Sequence, residues 1–424
     1  MKIVTAKKFN KDSLFRNAST FNEKIDRAVQ NIINEIRLKG DSGLRSYTEK
    51  FDGPLLDNFI VTNEEIEKAK KLVDDTFLTT ILQAKENIEA FHENQKEQSW
   101  HINPANGIIL GQKITPIEKV GIYVPGGKAN YPSTVLMNVI PAKVAGVPYI
   151  SIATPPREDG SINPYVLTTA TLLGVNRIYK MGGAQAIAAL AYGTETIERV
   201  YKIVGPGNSY VASAKKSVYG DVAIDMIAGP SEICIIADNS TNPKFIAADL
   251  LSQAEHDEAA RTTVITTSPS LANQITEEIK EQLSHLSRRE IAQESIRKNG
   301  FIILATSEEE AFEIANLIAP EHLQLMVTNS FEKLEFVKNA GAIFLGDYSP
   351  EPLGDYFAGP NHTLPTNGTA KFSSPLGVYD FIKKSSIIHY SKQALGQASD
   401  AIQYLAVREG LEAHAKSVQI RRGD

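Results

Sequence analysis

Cysteine, an excess of basic charge and long apolar runs are what this sequence lacks, and each shortage excludes something. The single cysteine, Cys234, rules out an internal disulfide. It sits in the apolar run Ile233-Cys234-Ile235-Ile236-Ala237, which reads as a buried strand rather than the setting of a reactive thiol. A net charge of −6, with Lys and Arg clustered only in pairs such as Lys383-Lys384 and Arg421-Arg422, argues against a nucleic-acid surface. No uninterrupted apolar stretch approaches the ~20 residues of a membrane span, and Met1 to Lys8 lacks the apolar core of a secretory signal. The expectation is a cytoplasmic protein that binds neither membrane nor nucleic acid.

What is present is an ordinary globular composition: 42% hydrophobic and 22% charged residues, with 28 Gly and 20 Pro spread along 424 residues. That length favours more than one domain. Roughly the first hundred residues are helix-rich. Phe21, Ile25, Ala28, Val29, Ile32, Ile33 and Ile36 recur at helical spacing before Gly40, and a second helical stretch covers Glu64 to Gln95. From Gly107 onward, short β-branched runs alternate with amphipathic segments, the mark of an α/β sheet. The strand candidates are Val120–Val124, Tyr149–Ala153, Arg177–Met181, Val200–Val204, Glu232–Ala237, Thr262–Thr266, Phe301–Leu304 and Ala342–Leu345. Asn242-Pro243 opens a helix that places Gln253 and His256 near its C-terminus. Gly346 to Pro375 reads as a long loop, and helix returns from Ser391.

Of the eight histidines, His256, His322, His362 and His414 stand in polar or helix-end contexts beside carboxylates. Gln253 and His256, three apart on one helix face, could share an ion, and Asp355 and His414 could complete a mixed N/O tetrad suited to zinc. Spacing alone leaves this open, because Asp355 serves equally as a turn residue and Gln253 as a helix-end cap. Glu321-His322 pairs a carboxylate with an imidazole, as stepwise alcohol oxidation requires, yet Pro320-Glu321-His322 could also merely open a strand. The turns Val124-Pro125-Gly126-Gly127, Met181-Gly182-Gly183-Ala184-Gln185 and Gly205-Pro206-Gly207-Asn208 follow strands and could line a ligand crevice. The third glycine of the dinucleotide fingerprint is missing, since position 210 is Tyr210.

From Ile25 to Arg421 the sequence resembles the histidinol dehydrogenase family. The resemblance is carried by Val120-Gly121-Ile122-Tyr123-Val124-Pro125-Gly126-Gly127, by the run Gly182 to Ala191, and by Gly205-Pro206-Gly207-Asn208. It continues through Asp225, Ala228-Gly229-Pro230-Ser231-Glu232, the run Asp249 to His256, and Pro320-Glu321-His322-Leu323. Gly354-Asp355-Tyr356, Asn361-His362 and the run Glu409 to His414 complete it.

The resemblance implies an α/β fold of two incomplete Rossmann-like domains with parallel-rich sheets, a helical N-terminal segment and a helical C-terminal tail. Residues 22–118 and 239–376 would form a larger, discontinuous domain, residues 119–238 an inserted one, and residues 377–424 a tail reaching the partner subunit's site. It implies a homodimer that oxidises L-histidinol through L-histidinal to L-histidine with two NAD+, in the last steps of histidine biosynthesis. One zinc ion per subunit would be held by Gln253, His256 and Asp355, with His414 of the partner subunit. Ser231, Gln253, His256, His322, Asp355, Glu409 and His414 match substrate-contacting positions, Tyr123, Gln185 and Asn208 match NAD-contacting ones, and Glu321 and His322 match an acid/base pair. Two other classes share these residue types, a zinc hydrolase and a catalytically silent zinc-stapled dimer; NADH formation separates the first reading from both.

Overall fold

The alternation of β-branched runs with amphipathic helices builds two parallel sheets in the computed structural model, which describes residues 1–9, 23–126 and 131–422. Phe21, residue 22 and Gly127, used above for the first helix, a domain boundary and a glycine turn, lie outside the described residues.

Strand β1 (Lys2–Thr5) precedes helices α1 (Glu23–Lys39), α2 (Asp41–Asp52), α3 (Asn63–Lys70) and α4 (Asp75–Glu93). The single helical stretch expected over Glu64 to Gln95 is therefore two helices. Thr62 and Asp74 each cap a helix N-terminus, and the chain turns between Lys71 and Asp74. Strands β2 (Trp100–Ile102) and β3 (Ile108–Pro116) follow.

The smaller parallel sheet then forms from β4 (Lys119–Tyr123), β5 (Tyr149–Thr154), β6 (Arg177–Lys180), β7 (Lys202–Val204) and β8 (Ala223–Ile224). Helices α5 (Pro132–Val144), α6 (Pro164–Leu172), α7 (Gly183–Tyr192) and α8 (Ser209–Val218) connect them. The larger parallel sheet takes β9 (Glu232–Ala237), β10 (Arg261–Thr266), β11 (Gly300–Leu304), β12 (His322–Met326) and β13 (Ala342–Leu345). Its helices are α9 (Pro243–Ala254), α10 (Pro269–Leu283), α11 (Arg289–Asn299) and α12 (Glu308–Ile318).

Helix α13 (Glu351–Tyr356) interrupts the expected loop, and β14 (Ile382–Tyr390), α14 (Lys392–Arg408) and α15 (Glu412–Arg422) end the chain. β14 pairs antiparallel with β3, and β3 with β2, in a small third sheet that sequence reasoning did not anticipate.

Strand order is β6-β5-β4-β7-β8 in the smaller sheet and β1-β11-β10-β9-β12-β13 in the larger. By order along the chain, each repeats 3-2-1-4-5, a doubly wound, Rossmann-like order lacking its sixth strand on the usual edge. In the larger sheet β1 adds instead beside β11, also in parallel. All six residues of β9 are buried, as a central strand covered by helices on both faces requires. Helix α7 buries Ala184 through Ala191; its small side chains let it sit close against β4 and β7. The burial of each Ile or Leu in these cores contributes about 1.5–3 kcal/mol. Among the described residues no helix is long and apolar enough to cross a membrane.

Candidate active site

The candidate metal and acid/base residues other than His414 converge at the amino-terminal edge of the larger sheet. His322 is the first residue of β12 and Glu232 the first of β9, and the two strands run parallel with His322 opposite Ile233. Helix α9, entered through the Asn242 cap and Pro243, runs back along the sheet, so its last turn carries Gln253 to that same edge. His256 follows just beyond the helix end, where its N–H donates to the Gln253 carbonyl at 3.3 Å.

Ligand atoms of His256, Glu351 and Asp355 all lie within 4.8 Å of one another. His322 borders the group: its Nε2 is 3.8 Å from Asp355 Oδ1 and 4.0 Å from Glu351 Oε1. His362 closes another side, its Nδ1 meeting the Asp355 carbonyl at 3.0 Å. Glu351 was not singled out in the sequence. Nothing in its local pattern marks it, although its place one helical turn before Asp355 puts both carboxylates on one face.

Parts of the cluster are deeply buried and lack hydrogen-bond partners. Gln253, His322 and Glu351 are at most 3% exposed. Both amide atoms of Gln253, Nε2 of His322 and Oε1 of Glu351 have no hydrogen-bond partner. Buried polar atoms left this way cost free energy unless a ligand satisfies them. An imidazole nitrogen and two carboxylate oxygens gathered this closely form a donor set that suits a divalent transition ion.

The electrostatics point the same way. Burial raises the Glu351 carboxyl to about 8, and the neighbouring Asp355 charge adds to the effect. Asp355 is held low despite burial, by the neighbouring His322 and His362 imidazoles. Burial lowers His256 and His362, with Asp355 opposing in both cases. Burial likewise disfavours the His322 cation, but Glu321, Asp355 and Glu351 outweigh it and push the imidazole up to about 10. A pocket this rich in carboxylates favours positive charge.

Glu321 lies at the other side of His322, its Oε2 3.7 Å from Nδ1. It accepts the Glu232 N–H at 2.8 Å, and burial lifts it to about 8, partly offset by His322. Pro320-Glu321-His322 does open a strand, as the alternative reading held, but its polar residues are buried rather than exposed.

The nucleotide-side candidates occupy the carboxyl edge of the smaller sheet. Tyr123 ends β4, and its hydroxyl accepts the Gly183 N–H at 3.0 Å. Gln185 lies in the first turn of α7 and Asn208 caps α8, accepting from Tyr210 N and Val211 N. At Gly205, φ is +114° and any Cβ would collide with the Tyr123 carbonyl, so only glycine fits. The buried Lys215–Asp225 pair and the Gly205 N–H to Asp225 bond fix that turn.

The two edges adjoin. From β8 the chain passes through Asp225 to Ser231, which is half-buried, directly into β9. Thr134 of α5, just beyond the first glycine turn, reaches His362 Nε2 at 3.4 Å. Glu409 and His414 stand apart, exposed on the α14 and α15 hairpin.

A family model for histidinol dehydrogenase matches residues 15–422. The chain belongs to the histidinol dehydrogenase family. It is 54% identical to the histidinol dehydrogenase of Oceanobacillus iheyensis over 100% of this chain and 99% of that one. It is 56% identical to that of Clostridium acetobutylicum over 94% and 93%. The crystal structure of histidinol dehydrogenase from Elizabethkingia anophelis superposes with a TM-score of 0.95 at 41% identity, covering 99% and 98% of the two chains. The chain is thus an oxidoreductase of this family, with the α/β architecture its sequence led us to expect.

Proposed function

We propose that the chain oxidises L-histidinol through L-histidinal to L-histidine, reducing two NAD+ per turnover at a zinc-containing site shared across a homodimer. The observation that carries this reading is the group of half-buried His256 and Asp355 with buried Glu351, bordered by the Glu321-His322 pair.

The first oxidation takes a hydride from carbon and a proton from the hydroxyl. The aldehyde then adds water, the second oxidation removes the same pair from the gem-diol, and the acid loses a third proton on ionising. Gln253, His256 and Asp355 would hold the zinc, with His414 of the partner subunit completing the set; Glu351 stands close enough to join. The bound ion supplies positive charge and a fixed point for the imidazole and amine nitrogens of the substrate, an orienting contribution of at best about 7–11 kcal/mol.

His322 accepts the hydroxyl proton. Its Nδ1 faces the Glu232 carbonyl, which can only accept, so Nδ1 keeps a hydrogen and Nε2 is left as the base. Neutralising Asp355 would remove part of the field that holds the imidazole cationic. Glu321, raised toward neutrality, takes the proton from the water that hydrates the aldehyde. NAD+ would lie along the carboxyl edge of the smaller sheet against Tyr123, Gln185 and Asn208, and Ser231 and Glu409 would contact the substrate. Weak cofactor binding that depends on substrate accords with the missing third glycine; equal NAD+ affinity with and without histidinol, measured by calorimetry on an inactive variant, would reject this point.

No thiohemiacetal is formed. Cys234 is fully buried within β9, and burial pushes its thiol far above the ordinary range. A Cys234→Ala enzyme that folds and binds histidinal but cannot oxidise it would refute the hydration route.

The exposed apolar residues of the C-terminal arm, among them Ile388, Tyr404, Leu405 and Ile420, support assembly with a second copy. The deciding experiment follows NADH absorbance with NAD+ and L-histidinol before and after chelation. Two NADH per histidine, lost on chelation and restored by zinc, is the expected result; no NADH from folded, zinc-loaded protein overturns the reading.

A further inference from the structure

Asp52 is badly placed by local rules. It is the last residue of α2, where the helix dipole disfavours an anion, and Gly53 closes the helix behind it with φ +102°. Burial pushes its carboxyl up to about 6 even though hydrogen bonds from Gly182 and Gln185 pull it down. Something other than its own helix must hold it there.

That something is the turn between β6 and α7. Asp52 Oδ2 accepts the Gly182 N–H at 3.2 Å and the Gln185 Nε2–H at 3.2 Å. The approach is close enough that Gly182 has no room for a side chain: a Cβ would fall 2.8 Å from Asp52 Oδ1 and 2.7 Å from Pro155 Cβ. Beside it, the Gly183 N–H is taken by the Tyr123 hydroxyl. The start of α7, a helix N-terminus of the kind that can seat an anion, is thus filled by an anion of the chain itself. An ionised carboxylate only accepts, so it turns the Gln185 amide with its nitrogen inward and leaves the acyl oxygen to accept from a ligand.

We propose that Asp52 is a positioning residue of the dinucleotide site, holding the Gly182-Gly183 turn and setting the Gln185 amide as an acceptor for an N–H or O–H donor of the cofactor. This rests on the NAD+ reading above. It assigns a role to the N-terminal helices, since α2 packs on α7 and delivers the carboxylate to it. It also means that the pyrophosphate is not bound at the α7 N-terminus.

The test titrates NAD+ by calorimetry into the wild type, D52N, D52A, Q185A and D52A/Q185A, with steady-state kinetics alongside. Loss of the hydrogen bonds to a charged group should weaken NAD+ roughly tenfold in D52A, with kcat and the histidinol KM within about twofold. D52N, which keeps the shape, should lose less, and D52A should cost nothing further in a chain already lacking Gln185. Unchanged NAD+ affinity in both D52N and D52A, in a wild type that makes NADH, overturns this inference alone. So does a fully additive loss in the double variant with histidinol and NAD+ KM rising together, which marks a purely structural staple. A wild type that neither binds NAD+ nor makes NADH removes the dinucleotide reading itself, and this inference with it.

Discussion

His322 donates its Nδ1–H to the carbonyl of Glu232 at 3.0 Å, across two neighbouring parallel strands. The N–H of the same Glu232 donates to Glu321. One backbone residue at the start of β9 therefore orients both members of the proposed acid/base pair, so their geometry is set by sheet register rather than by flexible side-chain contacts.

If the two groups have the separate tasks proposed, their variants should separate the two oxidations. His322→Ala should lower kcat by about 10²–10⁴ with either histidinol or histidinal as substrate. Glu321→Gln should strike histidinal oxidation harder, because hydration precedes only the second hydride transfer. Stopped-flow NADH formation from each substrate reads this directly, and equal losses on both substrates for Glu321→Gln would contradict the division of labour.

Glu351 is held by the Ser252 hydroxyl at 3.0 Å through one oxygen, while the other faces the cluster without a partner. Glu351→Gln keeps the shape and removes the charge. It should weaken zinc by roughly 10- to 100-fold, and excess zinc should restore most of the activity. Metal content after dialysis against a graded chelator measures the first effect; zinc retained at wild-type affinity would show that Glu351 does not help to hold the ion.

Much of this was legible in the sequence. Glu232–Ala237 and Ala342–Leu345 are strands over the residues expected, and the Asn242-Pro243 signal marks the start of α9. Such features depend on local periodicity and capping, which a sequence displays. Strand β12 enters the sequence reading only as the alternative for Pro320-Glu321-His322 and not among the strand candidates, because His322-Leu323-Gln324-Leu325-Met326 carries no β-branched residue and is a strand only because β9 and β13 flank it. The β3–β14 pairing joins segments far apart in the chain, and no local pattern announces it. The cluster is nonlocal for the same reason. Residues 256, 322, 351 and 355 meet through the sheet topology, so spacing alone left the metal set open, and the family resemblance supplied Gln253, His256 and Asp355 without Glu351.

Asp249 gives a pH-dependent term in stability. It is buried on α9, accepts Gln324 Nε2 at 2.9 Å, and burial raises its carboxyl from the ordinary range to about 6. The folded chain holds this proton more tightly than the unfolded one, so stability is fully present below about pH 4 and is lost as pH rises through about 6. Asp249→Asn abolishes the titration while keeping an acceptor for Gln324. The variant should therefore melt higher than wild type at pH 7, with the difference shrinking toward pH 4. Thermal melts across that range check it, and a difference that grows on acidification reverses the sign and rejects the account.

The last prediction concerns the proposal that His414 of a partner subunit completes the metal set. His414 is exposed on α15, and the ligand atoms clustered around His256 do not include it. Helix α15 packs chiefly on α14, and that hairpin continues from β14, most of whose residues are exposed. An arm with so much uncovered apolar surface gains stability by lying on another chain, which would carry His414 and Glu409 to that chain's cluster. If so, a chain with His414→Ala and a chain with Asp355→Ala should each be inactive alone. Mixed and reassembled, they should regain activity, because in the mixed dimer one site combines an intact Asp355 with an intact His414. Random assortment makes half of the dimers mixed, each with one whole site, so recovery should approach about one quarter of wild type. No recovery, with mixed dimers verified by differential tagging, would place the tail on its own chain.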